Sequence, residues 1–312
     1  MKNDIVKNGI IGFIIGDAIG VPLEFSKRRN EYNKIVDMLE YGSHNLEKGS
    51  FSDDSSMVIA TIKSIVDNKG NIDYEDIMNN FIKWAENGEF TPNNKAFGIG
   101  RTTLRALFNY KNNNINAIEC GLDNIKDNGN GSLMRILPIA YYCYYKKLND
   151  DEIFKIVKNI SSMTHKNNIS ILGCYIYVLL VIELLNGNKK EKAYNNIRNY
   201  DYSKYFDLDV IKYYDRLLKN DIKNLNINNI SSLGFVVDTL EAVIWCFLNS
   251  NNYDESIIKS INLGNDTDTI GALVGGISGI YYNNINDKWL NDIKRKEYLL
   301  NLCNDFYSCL ID

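Results

Sequence analysis

Proline is scarce, histidine scarcer, and basic charge is in deficit. The 312 residues include 3 Pro, 2 His and 35 Lys plus Arg against 39 Asp plus Glu. Each shortage excludes something. A net charge of -4 and a pI near 5.4 argue against a nucleic-acid binder, which needs a basic stripe or a domain pI above about 9. Two histidines, His44 and His165, and no Cys-x-x-Cys pair leave little from which to build a Cys/His zinc site. The six cysteines (Cys120, Cys143, Cys174, Cys246, Cys303 and Cys309) lie partly inside apolar stretches and read as buried free thiols, because disulfide frameworks belong mainly to small secreted domains. The longest apolar run, Ile171 to Ile182, falls short of the ~18 residues of a membrane span. The short apolar stretch Gly9 to Ile15 is flanked by Asp4 and Asp17 and followed by no small-residue cleavage site, so it does not read as a signal peptide. The expectation is a soluble, cytoplasmic protein with neither nucleic acid nor membrane as partner.

What is present fits a large folded chain. Apolar residues at 45% and charged residues at 24% match globular averages, and a chain of this length buries a sizeable core. A domain of ~150 residues would give two domains, but no stretch looks like a linker. The prolines stand alone at 22, 92 and 138, the Asn/Lys/Ile-rich stretches 111–116 and 219–230 read as loops, and no repeat occurs. One domain over residues 1–312 is therefore expected. Apolar residues recur at helical spacing over 57–66, 77–84, 102–108, 132–145, 153–162, 169–185, 236–248, 256–263 and 269–282. Alternating strand patterns are hard to find, and Asn186-Gly187 after a long apolar run looks like a helix end. The fold class is all-α: ten or more helices in a single large orthogonal bundle.

Two acidic clusters open helical segments: Ser52-Asp53-Asp54-Ser55 before 57–66, and Asp266-Thr267-Asp268-Thr269 before 270–282. Helix capping explains one such acceptor. Two carboxylates and a hydroxyl within four residues exceed what a cap needs, and like charges so close repel unless a cation lies between them. Oxygen donors without Cys or His suit a hard ion such as Mg²⁺, Mn²⁺ or Ca²⁺. If the fold brings both helix starts together, the set suffices for a binuclear centre. A third stretch, Asn128-Gly129-Asn130-Gly131-Ser132-Leu133-Met134-Arg135, reads either as a turn with an N-cap or as a phosphate-binding helix start. Gly12, Gly16 and Gly20 recur every four residues, a spacing that lets helices pack closely, and Asp17 among them needs a strong partner if buried. Glu24 follows just past Pro22. His165, a lone histidine before a long apolar helix, reads more readily as a hydrogen-bonded structural residue than as a catalyst, and His44 sits in a polar loop with no pattern around it.

Taken in order, these stretches resemble the ADP-ribosylglycohydrolase family. The succession is Gly16-Asp17-Ala18-Ile19-Gly20 with Glu24, then Ser52-Asp53-Asp54, Gly129 to Arg135, Thr164-His165, and Asp266-Thr267-Asp268-Thr269 with a glycine-rich helix and Tyr281-Tyr282. The resemblance runs from about residue 9 to residue 290. It implies an all-helical domain with two Mg²⁺ (or Mn²⁺) ions in a cleft and hydrolysis of the bond joining ADP-ribose to an acceptor, reversing ADP-ribosylation of a protein or a small molecule. By position it implies metal ligands Ser52, Asp53, Asp54, Asp266, Asp268 and Thr269, and catalytic carboxylates Glu24, Asp53 and Asp54. Gly129, Asn130, Gly131 and Ser132 would hold the diphosphate, Met134 and His165 would border the substrate, and Asp17 would orient ligands from behind. Two departures stand out: Ser52 replaces the usual threonine, and Thr91 to Thr103 lacks the carboxylate that arginine-type members carry there, which counts against an arginine acceptor. Two other readings keep the same fold: a non-catalytic ADP-ribose-binding protein, and a hydrolase of a free ADP-ribosyl or nucleotide-sugar compound.

Overall fold

The structure, a computed structural model, describes residues 2–311. Its helices run α1 (Lys2–Gly20), α2 (Asp53–Asp67), α3 (Tyr74–Asn87), α4 (Arg101–Asn113), α5 (Leu137–Tyr145), α6 (Asp150–Ser162), α7 (Asn168–Leu185) and α8 (Lys190–Arg198). They continue as α9 (Leu208–Ile211), α10 (Asp215–Leu218), α11 (Val236–Leu248), α12 (Tyr253–Ile261), α13 (Thr267–Tyr282), α14 (Asp287–Asp292) and α15 (Lys296–Ile311). Among the described residues the only extended pairings are isolated bridges, such as Tyr41 with Leu46 and Gly129 with Phe235. The fold is all-α, as the periodicity predicts.

Three expectations on helix extent need correction. The segment 132–145 is not one helix: a 3-10 turn over Asn130–Arg135 precedes α5, and Pro138 sits in the first turn of α5, where its missing N–H costs nothing. Helices α8 and α15 lie outside the expected segments. The first is short and crowded with lysine, whereas α15 carries a clear 3–4 spacing of Leu299, Leu302, Cys303, Phe306 and Leu310 on its buried face. Asn186 does cap α7, followed by Gly187 at φ +79°.

The buried apolar side chains form one connected core. Helices α1 and α7 are long and apolar enough by composition to cross a membrane, but both lie mostly buried inside the fold. Their apolarity on every side is what a central helix requires. Helix α1 also has glycines where another helix must touch it. It packs antiparallel on α13: a Cβ at Gly16 would lie 2.0 Å from the Gly271 carbonyl oxygen, and one at Gly12 would lie 2.7 Å from that of Gly275. Any side chain there would separate the backbones. At Gly20 a Cβ would lie 2.4 Å from the Asp268 Cα, so the end of α1 rests on the start of α13. The Thr267 hydroxyl fixes that contact by donating to the Gly20 carbonyl at 2.8 Å. The close packing thus delivers the residues after Gly20, including Glu24, to the acidic start of α13.

Candidate active site

Ser52 caps α2: its hydroxyl accepts from the Asp54 N–H at 3.2 Å and approaches Asp54 Oδ2 at 3.1 Å. Behind the cap lies Asp17, fully buried on α1. Its carboxylate accepts from the Ser52 N–H and the Ser55 N–H, each at 3.0 Å, and from the Ser55 hydroxyl. The strong partner that a buried Asp17 requires is therefore the free amide end of α2 rather than a cation. Burial raises Asp17 to about 6, against the lowering effect of those hydrogen bonds.

Asp53 and Asp54, in the first turn of α2, meet Asp266 and Asp268 at the start of α13. A carboxylate oxygen from each of Glu24, Asp266 and Asp268 lies within 4.8 Å of the other two. Burial pushes Asp53, Asp54 and Asp268 well above the usual carboxylate range, and repulsion from neighbouring carboxylates adds to it. Asp266 is raised to about 6 by burial, against a hydrogen bond from Asn130. Asp54 Oδ1 and Asp268 Oδ1 are buried and meet no hydrogen-bond donor. Buried carboxylate oxygens are ordinarily paired, so two orphans facing a common acidic cluster fit a hard cation, which supplies the missing charge and satisfies the lone pairs.

A cleft of about 500 Å³ opens over this cluster. Glu24, Asp53, Asp54, Asp266, Asp268 and Thr269 form one part of its wall, and Gly129, Asn130, Gly131, Met134 and His165 another. Asn130 ties the two together, its amide donating to Asp266 Oδ2 and, at 3.0 Å, to the Thr239 hydroxyl. Two expected residues do not reach the opening. Ser132 is fully buried, its hydroxyl bonded to that of Ser161 at 3.0 Å, because the 3-10 turn directs it inward. The Ser52 hydroxyl is occupied by the cap just described.

His165 is buried and held neutral: burial, then the nearby Arg135 guanidinium, lower it to about 3. Arg135 donates to the Thr164 hydroxyl at 2.8 Å, and that hydroxyl lies 2.8 Å from His165 Nδ1. Since the hydroxyl accepts from Arg135, its own proton is free for Nδ1. The proton on the neutral ring is then on Nε2, a donor at the cleft.

Several residues in or beside the cleft were not legible in the sequence. His44 Nε2 bonds Glu24 Oε2, and the His44 ring lies 5.9 Å from Phe25 and 5.1 Å from Phe97, centroid to centroid. Phe25 is 74% exposed and holds φ +63°, uncommon for an aromatic residue. Gly98, at φ +80°, lies against Asp53: a Cβ there would fall 2.2 Å from Oδ1. Thr102 and Thr103, at the start of α4, complete the rim. Phe97, Gly98, Thr102 and Thr103 fall in a stretch the sequence singles out, and there for its lack of a carboxylate.

Comparison with known proteins identifies the family. A profile of the ADP-ribosylglycohydrolase family matches residues 2–310. The ADP-ribosylarginine hydrolase Tri1 of Serratia proteamaculans is 29% identical over 309 residues, covering 97% of this chain and 79% of that protein. The ADP-ribosyl-[dinitrogen reductase] glycohydrolase of Rhodospirillum rubrum is 24% identical, covering 94% and 92% of the two chains. A solved structure titled ADP-ribosylglycohydrolase-related protein complex superimposes with a TM-score of 0.81 at 23% identity, covering 99% of both chains, a likeness of fold. This chain belongs to the ADP-ribosylglycohydrolase family.

Proposed function

We propose that the chain, working as one domain over residues 1–312, is an ADP-ribosyl-acceptor hydrolase whose activity depends on two Mg²⁺ or Mn²⁺ ions. The observation that carries this reading is the pair of buried, orphaned oxygens, Asp54 Oδ1 and Asp268 Oδ1, within the carboxylate cluster. Asp53, Asp54, Asp266, Asp268 and Thr269 hold the ions, with the Ser52 hydroxyl available once it turns from its cap. When bound, the ions supply Lewis-acid polarisation and positioning of substrate hydroxyls and water. Asp17 holds the start of α2 in place and so fixes the Asp53 and Asp54 ligands from behind. Cleavage of a glycosidic bond develops positive charge at the anomeric carbon, which the carboxylates of Glu24 and Asp53 stabilise. A carboxylate among Glu24, Asp53 and Asp54 takes the proton of the attacking water. The Nε2–H of His165 donates to the diphosphate that the Gly129, Asn130 and Gly131 backbone admits, while Met134 packs beside it.

The relatives named above act, by their names, on ADP-ribosylarginine and on ADP-ribosylated dinitrogen reductase. An arginine acceptor is thus one candidate, although the rim from Thr91 to Thr103 offers no carboxylate to a guanidinium. That same gap favours a second reading, hydrolysis of a free ADP-ribosyl compound. The test is release of ADP-ribose from arginine-linked, serine-linked and free nucleotide-linked substrates, with Mg²⁺, with Mn²⁺ and with excess chelator. Metal-dependent release from one substrate is the expected result and names the acceptor; ADP-ribose binding without turnover on any of them would reject the hydrolase in favour of a binding protein.

A further inference from the structure

A second cavity, of about 820 Å³, exceeds the cleft in volume and lies between the loop 27–34, the loop around Ile227, and helices α11 and α12. Its size falls within the ~300–1,000 Å³ of small-molecule sites. Charge distinguishes it from the rest of the chain. Four cationic residues line it, Arg28, Arg29, Lys34 and Lys259, against two acids, Glu31 and Glu255. Both acids are already used: Lys34 pairs with Glu31 at 2.6 Å and Lys259 with Glu255 at 3.6 Å. The two arginines are left over. Arg28 donates to the carbonyls of Leu263, Ile227 and Ile230, and Arg29 to the Ser26 hydroxyl at 2.9 Å. These contacts satisfy N–H groups without neutralising charge. Two uncompensated guanidinium groups, both half-buried, converge on one concavity of a protein whose net charge is -4. The remaining wall is apolar, built from Trp245, Ile227 and Ile258.

We propose that this cavity is a second ligand site, for a small organic phosphate. A phosphate monoester carries about two negative charges near neutral pH, which matches the two unpaired guanidiniums, and arginine is the side chain best shaped to receive phosphate oxygens. Arg28, anchored by three carbonyls, is held in place beforehand; Arg29 retains most of its N–H groups for the ligand. The apolar wall around Trp245 receives the flat or apolar body that the phosphate carries. The cavity and the cleft have no lining residue in common, and the inference does not rest on the hydrolase reading.

The indole N–H resonances report the site directly, because Trp245 lines this cavity, whereas the cleft lining contains no tryptophan. The full-length protein is titrated with AMP, with inorganic phosphate and with adenosine, and the Trp245 signal is assigned by its loss in Trp245→Phe. The expected result is a saturable shift of the Trp245 resonance with AMP, a weaker-binding response to phosphate, and none with adenosine. Removing one charge-assisted partner in Arg29→Ala is expected to weaken AMP at this signal by about 10- to 100-fold, and Arg29→Glu to abolish it. Arg29 is chosen because, among the described residues, its guanidinium hydrogen-bonds the Ser26 hydroxyl alone, a contact the fold can lose. No Trp245 shift with AMP, a shift that survives Arg29→Ala unchanged, or an equal response to adenosine would overturn the proposal. A phosphate response as tight as that of AMP would overturn the organic half of it.

Discussion

Helices α3 and α6 begin with more acids than α2 and α13, and the contrast separates capping from chemistry. Asp73 caps α3 by accepting from the N–H groups of Glu75 and Asp76, at 3.0 and 3.1 Å. Helix α6 opens with a reciprocal box, in which Asn149 accepts from Asp151 and Glu152 while Glu152 takes the Asn149 N–H. Its other first-turn acids, Asp150 and Asp151, are exposed and bonded to Tyr200, Tyr205 and Lys204. At α2 and α13, Asp53, Asp54 and Asp268 are buried and Asp266 is half-buried; the four crowd one another, Asp54 and Asp268 each keep an oxygen with no donor, and Asp266 makes no cap bond at all. Burial without partners, not acidity at a helix start, sets α2 and α13 apart.

The sharpest way to break the comparison is to remove one acid from each kind of helix start. Asp268→Ala should lower metal-dependent turnover by at least about 10³-fold, the scale expected when groups acting directly on the reaction are lost, with unchanged helical circular dichroism. Full activity in this variant would put α13 on the side of ordinary caps. Asp17→Asn should follow, with metal affinity weaker by about 10- to 100-fold, as for other groups that orient ligands from behind; calorimetric titration reads it, and an unchanged affinity would make Asp17 purely structural.

The pH dependence of the metal-free protein sharpens the contrast further. Asp17 and Asp266 rise from 3.8 to about 6, so the folded protein holds these protons more tightly than the unfolded chain. The associated stability is fully present below pH 3.8 and is lost as the pH rises through about 6. Thermal unfolding with chelator should show this loss, at most about 3 kcal/mol for each of the two groups, less of it in Asp266→Asn, with recovery when Mg²⁺ is added near neutral pH. A wild-type profile identical to that of Asp266→Asn would contradict it. Asp73→Ala should cost about 1 kcal/mol of stability and leave turnover unchanged, as denaturant unfolding and the ADP-ribose assay will report.

Much of this was readable in advance, and the reasons it was readable are physical. The spacing of Gly12, Gly16 and Gly20 announces a helix contact because only glycine lets two backbones approach so closely, and α13 answers with Gly271, Gly275 and Gly279. The acidic helix starts are local in the chain and so visible. Whether they meet depends on the α1–α13 packing, which no local pattern encodes. His44 illustrates the limit: twenty residues separate it from Glu24, and only the loop around the Tyr41–Leu46 bridge brings them into contact. Ser132 shows the converse, a residue inside a recognisable motif that the 3-10 turn directs into the core.

The central claim is that the starts of α2 and α13 together bind cations that neither binds alone. Calorimetric titration of Mn²⁺ into the full-length protein, in buffers of different ionisation enthalpy, tests it most directly. The account expects two bound ions and net proton release, because carboxylates raised by burial must give up their protons to become ligands, with binding lost in both Asp54→Ala and Asp268→Ala. Mn²⁺ binding that persists unchanged in either variant, or no binding to the wild-type protein, would contradict it.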